Sequence, residues 1–229
     1  MNLRAALLDA LALLSPVECA GCGADDRSLC ADCRGALAAD VTQRFTGGLR
    51  VHSALEYGGR ARRVILAFKE QERTDVAAAL ALPFAAALRA ALAAAALGAE
   101  LALVPTSRAA WRRRGYDPVL TLVRRAGGAP SRVLLPARAS RAQKSLGLAA
   151  RAANRSGAFV AARPLTSRRF VIVDDILTSG ATLEEAARAV SAAGGEVVGG
   201  ATLAFTTRLL AFRDIGAEQD YGGRKGASD

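Results

Sequence analysis

Residues 169–182 read RFVIVDDILTSGAT, and this stretch indicates the fold of the 229-residue chain. A short apolar run leads into two adjacent carboxylates, Asp174 and Asp175, and then into a loop of small and hydroxyl-bearing residues at 178–182. A helical pattern begins directly afterwards, at Leu183. An apolar strand followed by a small-residue loop and a helix start predicts a βα unit with a ligand site at the carboxyl end of the strand.

The loop at 178–182 has the properties of a phosphate-binding site. Small residues let backbone N–H groups approach a phosphate closely, and the N-terminus of the following helix adds partial positive charge. Two carboxylates beside the loop would repel a bare phosphate, so the ligand must also offer hydroxyl groups, as a ribose does, or bring Mg²⁺. The simpler alternative is a buried strand that ends in a capped helix, which would also use Asp and Thr.

The arrangement resembles the loop that binds 5-phosphoribosyl-1-pyrophosphate (PRPP) in type I phosphoribosyltransferases. This resemblance implies that Asp174 and Asp175 hold the 2′- and 3′-hydroxyls of the ribose, and that the loop holds the 5′-phosphate. The loop residues concerned are Thr178, Ser179, Gly180, Ala181 and Thr182.

The whole chain fits one α/β domain with a small N-terminal appendage. Hydrophobic residues make up 52% of it, which is enough for a sizeable core. Alternating strand and helix patterns predict a mostly parallel sheet flanked by helices. We expect a helix and cysteine module at 1–40, the main domain at 41–212 and a flexible tail at 213–229.

The hydrophobic pattern also predicts the order of the elements. A polar basic loop is expected at 106–118 and a mobile segment at 137–157. The expected strands are a hairpin at 41–58 with Gly47-Gly48 as its turn, 100–104, 133–135, 170–173 and 197–205, and the expected helices are 60–70, 75–97, 119–126 and 183–193.

Charge and hydropathy restrict the partners only loosely. The formal net charge is +10, which is compatible with nucleic acid, with phosphorylated substrates or with a merely basic surface. No run of about 18 uncharged apolar residues has membrane character. The N-terminal leucines at 3, 7, 11 and 14 fall on one helical face, which favours a short amphipathic helix over a signal peptide. We expect a cytoplasmic protein with no membrane segment.

Four cysteines lie close together in the sequence. Cys19, Cys22, Cys30 and Cys33 form two CxxC pairs separated by a short linker. Each pair can supply two thiolates from a tight turn to a tetrahedral Zn²⁺, and a site filled by four cysteines is structural. A pair of disulfides in a secreted protein and a redox CxxC motif are the alternatives.

Three further stretches follow the pattern of one family. They are VPTSR at 104–108 with RRRGY at 112–116, RAQKSLGLAARAANRSGAF at 141–159, and ILAFK at 65–69. With the CxxC pairs and the acidic loop, they make the chain resemble the ComF family. Its members are phosphoribosyltransferase-like proteins linked to bacterial competence and DNA uptake, with gluconate-utilisation relatives. Asp117-Pro118 departs from the usual Asn-Gln of that family.

The resemblance implies a catalytic arrangement for displacing pyrophosphate from the ribose. Thr106, Ser107 and Arg108 would meet the pyrophosphate, and Mg²⁺ would bridge it to the ribose hydroxyls. Arg114 would act with the acidic pair by closing over the pyrophosphate from a mobile segment, as could Lys144 or Arg151. Lys69 and Asn154 are implicated by the resemblance alone. His52, the only histidine, is interpreted as structural.

Two function classes follow. The first is an enzyme that binds PRPP or ribose 5-phosphate and transfers phosphoribosyl to or from an unknown acceptor, whose pocket would lie in a hood made of the cysteine module and the 41–58 hairpin. The second is an accessory protein of DNA uptake that binds single-stranded DNA and a helicase, with the PRPP site as a sensor or relic. Its expected DNA contacts are the basic residues at 112–114 and 124–125.

Overall fold

The structure is a computed structural model that describes residues 17–25, 27–95, 98–137 and 157–207. Its strands are β1 (Thr42–Thr46), β2 (Leu49–Glu56), β3 (Ala99–Leu103), β4 (Pro130–Ser131), β5 (Leu134–Pro136), β6 (Phe159–Ala161), β7 (Arg169–Leu177) and β8 (Glu196–Phe205). Its helices are α1 (Ala31–Gly35), α2 (Gly59–Glu70), α3 (Ala77–Ala94), α4 (Arg108–Arg114), α5 (Pro118–Arg125) and α6 (Ala181–Ala192), with a 3₁₀ turn at Thr74–Val76 before α3.

Six of these strands form one sheet in the order β1-β2-β8-β7-β3-β4. The pairs from β2 to β4 are parallel, and only β1 runs antiparallel to its neighbour β2. Strands β5 and β6 form a separate antiparallel pair. The mostly parallel sheet flanked by helices that the sequence predicts is therefore confirmed.

The two faces of β7 pack on different helices because successive side chains of a strand point to opposite faces. Val171 and Val173 belong to an apolar cluster with residues of α2, α3 and α5. Phe170 and Ile172 belong to a second cluster with residues of α6. All four side chains are fully buried, so β7 is apolar on both sides, as a central parallel strand requires.

One helix among the described residues is long and apolar enough to cross a membrane. It consists of the 3₁₀ turn and α3, Thr74–Ala94. Its most apolar 18 residues have a mean hydropathy of 1.9, but 61% of this stretch is buried inside the protein. Core helices of soluble proteins pass the same test of length and composition. Because α3 packs against β2, β8 and α5, it is the central helix of one apolar cluster.

Several elements differ from the sequence prediction. Strand β7 runs through the acidic pair to Leu177, because Asp174 and Ile176 pair with Thr202 and Ala204 of β8. The expected loop at 106–118 contains helix α4. The 41–58 hairpin is present, and its strand β2 pairs directly with β8 in the main sheet.

The order of the strands reverses at β3. Strand β4 follows β3 in the chain and lies on one side of it, whereas β7 and β8 lie on the other side. In open parallel sheets, ligands bind in the crevice at the carboxyl ends of the strands where the order reverses. The backbone N–H of Val104 donates to the carbonyl of Val173 at 2.9 Å, so the loop after β3 begins beside the acidic pair.

Candidate functional site at the carboxyl ends of β3 and β7

The acidic pair stands on the part of β7 that extends past the end of β3. Strand β3 pairs with β7 only as far as Val173, and the next two residues are Asp174 and Asp175. Both side chains are partly buried, and Oδ1 of Asp174 accepts a hydrogen bond from the backbone N–H of Asp175 at 2.8 Å. Ionised carboxylates have room for further donors, so this pair can accept hydrogen bonds from neighbouring hydroxyls of a sugar.

The small-residue loop leads into α6 through a left-handed glycine. Gly180 has φ of 81° and occupies the N-cap of α6 without a side-chain cap. Ser179 Oγ accepts from the N–H of Ala181 at 3.5 Å. The loop therefore presents the N-terminus of a 12-residue helix beside the carboxylates, where its amides and its dipole favour an anion.

The hairpin of β1 and β2 holds this loop from the other side. A Cβ atom on Gly180 would lie 1.8 Å from Thr46 Oγ1, so only glycine fits beneath that threonine. Thr46 is 4% exposed, and its hydroxyl donates to the Glu184 carboxylate in the first turn of α6. Thr46 is a residue that sequence reasoning missed, because no local pattern links a hairpin threonine to a helix so distant in the chain.

The loop after β3 carries the residues expected to meet pyrophosphate. Ser107 is the N-cap of α4, and its Oγ accepts from the N–H of Ala110 at 3.2 Å. Its hydroxyl proton remains available to a ligand oxygen. Thr106 lies just before the cap, and the exposed Arg108 is the first residue of the helix. All three residues therefore stand on the loop that begins beside Val173, the residue before the acidic pair.

Lys69, implicated only by resemblance, lies against the acidic pair. It is near the end of α2, and its Nζ is 2.7 Å from Asp175 Oδ2. The two side chains are 17% and 20% exposed, respectively. A partly buried ion pair of this kind fixes the direction of the carboxylate.

Glu70, the next residue, ties α4 to α2. Its carboxylate binds Arg114 at 2.6 Å and Arg113 at 2.9 Å. Burial alone would raise the pKa of Glu70, but the two guanidinium groups lower it overall. Tyr116 adds a hydrogen bond from its hydroxyl to the carbonyl of Phe68. The end of α2 therefore contacts β7 through Lys69 and α4 through Glu70.

These contacts change the expected setting of two arginines. Arg114 was expected to close over pyrophosphate from a mobile segment, but it lies in a helix, is 12% exposed and is held by Glu70. Arg113, expected to contact DNA, shares the same carboxylate and is 63% exposed. The DNA contacts expected at 112–114 stay a prediction.

The Asp117-Pro118 departure from the family pattern has a structural explanation. Asp117 is the N-cap of α5, and its Oδ1 accepts from the N–H of Leu120 at 3.0 Å. Pro118 occupies the first turn of the helix, where its missing N–H costs nothing. Lys144, Arg151, Asn154 and the tail lie outside the described residues.

His52 lies within β2 and is 4% exposed. Burial and, to a lesser degree, the charge of Arg50 lower its pKa below the usual 6.5. A buried neutral histidine in a sheet strand agrees with the structural role expected from the sequence.

The four cysteines form one cluster. Their Sγ atoms all lie within 4.8 Å of one another, and those of Cys22 and Cys30 are 3.7 Å apart. Tetrahedral zinc with thiolates at about 2.3 Å places the sulfurs roughly 3.8 Å from one another. A Cβ atom on Gly21 would lie 2.5 Å from the sulfur of Cys33, so a glycine is needed in the first CxxC turn.

The surroundings of the sulfurs fit a cation. Burial would raise the pKa of Cys19, but the N–H groups of Cys30, Gly21 and Cys22 and the Cys22 thiol lower it to about 6. Burial and the neighbouring thiols raise the pKa of Cys33 instead. Four thiolates in so small a volume repel one another unless a metal neutralises them. The four cysteines form no disulfide with one another.

The cysteine module is packed on α2. Cys19 and Cys33 belong to the same apolar cluster as Val64 and Phe68 of that helix. Arg63 of α2 donates to the carbonyl of Gly21. The cysteine cluster therefore supports the same helix whose last turn contacts the acidic pair.

Comparison with known proteins points to one domain type. Residues 139–217 match the sequence model of the phosphoribosyl transferase domain. No curated protein matches the chain in sequence. Similar solved structures include an adenine phosphoribosyltransferase with 17% identity over 78% of this chain and 91% of the other, with a TM-score of 0.38.

Two further solved structures are similar to a comparable degree. An adenine phosphoribosyltransferase from Rhodothermus marinus shares 18% identity over 81% and 93% of the two chains, with a TM-score of 0.35. An orotate phosphoribosyltransferase from Aeropyrum pernix shares 15% identity over 80% and 94%, with a TM-score of 0.34. The narrower resemblance to the ComF family stays a prediction. The residues that match the phosphoribosyl transferase domain model include the acidic pair and the small-residue loop.

Proposed function

We propose that the chain binds PRPP with Mg²⁺ at the carboxyl ends of β3 and β7 and transfers phosphoribosyl to or from an acceptor. One observation carries the proposal: Asp174 and Asp175 stand at the reversal of strand order, directly before a glycine-headed helix. The matched phosphoribosyl transferase sequence, 139–217, spans this whole unit. A site that joins carboxylates to an anion-binding helix start suits a ligand with both hydroxyls and phosphates.

Each part of the crevice has one role in this proposal. The amides and hydroxyls at 178–182 bind the 5′-phosphate, and the acidic pair accepts hydrogen bonds from the ribose hydroxyls. Thr106, Ser107 and Arg108 bind the pyrophosphate, whose negative charge grows as it leaves an oxocarbenium-like ribose. Donors fixed on helices and strands need no reorganisation at that moment, which is the main demand of such a reaction.

Lys69 and Arg114 are positioning residues in this account. Lys69 fixes the direction of the Asp175 carboxylate through its 2.7 Å ion pair. Arg114 anchors α4, and with it Arg108, to the end of α2 through Glu70. Arg108 has no acidic partner among the described residues, so its guanidinium can meet pyrophosphate.

The donor set fits Mg²⁺. Carboxylate and phosphate oxygens are its preferred ligands, and the acidic pair supplies the former while PRPP supplies the latter. Bound Mg²⁺ would neutralise charge on the pyrophosphate. Asp174 and Asp175 would hold the ion, and the Lys69 ion pair at Asp175 Oδ2 would border it.

We also propose that Cys19, Cys22, Cys30 and Cys33 hold one structural zinc. The 3.7 Å separation of two of the sulfurs and the confinement of all four within 4.8 Å support this assignment. A site with four cysteine ligands has no open position, so its zinc would stabilise the module and not take part in transfer.

Calorimetric titration with PRPP, with and without Mg²⁺, tests the proposal. The wild type should bind, more tightly with Mg²⁺, and the double substitution Asp174→Asn with Asp175→Asn should weaken binding by roughly tenfold or more. Asp32→Asn is the matched control, because Asp32 is an exposed acid on the cysteine module. Equal affinity in the wild type and the double variant would overturn the site assignment.

A further inference from the structure

A cavity of about 450 Å³ opens at the end of β3, and its lining includes Thr106 and Arg108 but neither residue of the acidic pair. Its volume is typical of a site for a small organic molecule. Its floor is formed by the end of β3 and the start of the following loop, and the walls by α4 and β5. The residues that line it include Arg108, Trp111, Arg112, Asp117, Arg132 and Leu134.

The cavity is basic. Three arginines line it, at 108, 112 and 132, and none of them has an ion pair or side-chain hydrogen bond in the part of the chain that the structure describes. Asp117 is the one acid in the lining, and its Oδ1 already accepts from Leu120 as the cap of α5. Arg113 and Arg114, on the same short helix, by contrast share the carboxylate of Glu70. The arginines of this region that lack an acidic partner therefore line the cavity.

Helical spacing explains this separation. Residues 108, 111 and 112 are three and four apart, so they share one face of α4, and that face looks into the cavity. Arg113 and Arg114 point to α2. The arginines of the cavity therefore converge because of their register on the helix, with Arg132 facing them from beyond β4.

The same cavity offers an apolar surface to a flat ring. Trp111 is the only tryptophan of the chain and is 54% exposed. Leu134, Leu135 and Pro136 of β5 supply the rest of the apolar lining. Leu135 is also 49% exposed, although large apolar side chains are ordinarily covered. An indole beside guanidinium groups is a surface on which aromatic rings stack.

We propose that this cavity binds a planar aromatic compound carrying an anionic group. The anion, a phosphate or a carboxylate, pairs with Arg112 and Arg132, since guanidinium binds both groups through two parallel hydrogen bonds. The ring lies between Trp111 and the apolar residues of β5. This site shares Thr106 and Arg108 with the proposed pyrophosphate residues, but its anion contacts, Arg112 and Arg132, have no role in the proposed PRPP binding.

Fluorescence of Trp111 gives a direct test, because no other tryptophan contributes to the signal. Excitation at the long-wavelength edge of indole absorption avoids the probes' own absorption. The probes are AMP, a ring with a phosphate; benzoate, a ring with a carboxylate; and inorganic phosphate, an anion without a ring. The full chain is titrated without PRPP, both as wild type and with Asp174→Asn and Asp175→Asn, so that a failure of the proposed PRPP site cannot affect the outcome.

We expect a saturable change in Trp111 fluorescence with AMP or benzoate, and the better of the two identifies the anionic group. Arg112→Ala and Arg132→Ala should each weaken that binding by about tenfold or more, because each removes a charge-assisted contact. Arg124→Ala, an exposed arginine of α5 outside the cavity, should leave the affinity within about twofold. The proposal is overturned if neither ring compound gives a saturable change, if inorganic phosphate binds as tightly as both, or if the two arginine variants bind like the wild type.

Discussion

Replacing Gly180 by alanine should both strain the phosphate loop and push away the hairpin above it. Gly180 has φ of 81°, a left-handed conformation that costs an L-residue about 1–2 kcal/mol. A new Cβ would lie 1.8 Å from Thr46 Oγ1 and 2.5 Å from Thr46 Cβ. Since Thr46 is buried, it must move, and its hydrogen bond to Glu184 is then lost.

The size of the effect follows from these two contributions. A hydrogen bond to a charged group is worth about 1.5–3 kcal/mol, so Gly180→Ala should lower the free energy of unfolding by about 2.5–5 kcal/mol in all. Gly115→Ala is the matched control, since Gly115 has φ of 72° and no atom within 4 Å of the position of the new Cβ. It should cost only the backbone strain, about 1–2 kcal/mol.

Urea unfolding of the two glycine variants measures both costs, and Thr46→Gly completes a double-mutant cycle. Each single variant loses the hydrogen bond from Thr46 to Glu184, and the double variant loses that same bond only once. The costs should therefore fall short of additivity by about 1.5–3 kcal/mol. Equal costs at Gly180 and Gly115, or additive costs in the cycle, would refute the reasoning that Thr46 holds the phosphate loop.

Three further predictions concern buried charges and the cysteine cluster. Lys69→Met should destabilise the fold by about 1–3 kcal/mol, because it leaves Asp175 unpaired, and adding Asp175→Asn should restore most of this in urea unfolding. Glu185 is 5% exposed, and Arg188 lowers its pKa below 4.5. The contribution of the ionised Glu185 side chain to the free energy of unfolding is therefore present above that pH and is lost as the pH falls through the folded-state pKa. Glu185→Gln should thus be less stable than the wild type at pH 7 by about 2 kcal/mol, and unfolding curves should converge in acid. Elemental analysis should find one zinc per chain, and Cys33→Ser should remove it and lower Tm; a metal-free wild type of unchanged Tm would contradict the zinc site.

Hydrophobic pattern was sufficient to predict the longer strands and helices, such as β2, β7, β8, α2, α3 and α6, but not α4 or the short strands β4 and β6. Strand β7 illustrates the limit of such reasoning. Its apolar part ends at Val173, but pairing with β8 continues the strand to Leu177, and pairing between distant segments leaves no local signal. Helix α4 did leave signals, a capping serine at 107 and a left-handed Gly115, but three consecutive arginines favoured a loop.

The candidate site was predictable where one stretch carries several of its residues. The acidic pair, the small-residue loop and the four cysteines are of this kind, since the spacing itself expresses the chemistry. Contacts between distant segments were not predictable. The Lys69–Asp175 ion pair, the Glu70–Arg114 pair and Thr46 above the phosphate loop all depend on how α2 and the hairpin dock on the sheet. No periodicity in the chain encodes that docking.

Hydrogen exchange followed by mass spectrometry, with and without PRPP and Mg²⁺, tests the central claim most directly, because it locates the ligand on the chain. The account predicts slower exchange in peptides that cover 174–184 and 104–108, at the carboxyl ends of β7 and β3. Peptides from the opposite ends of these strands, at 99–101 and 169–171, should exchange at unchanged rates. Protection confined to other parts of the chain, or bound PRPP that leaves 174–184 unprotected, would contradict it.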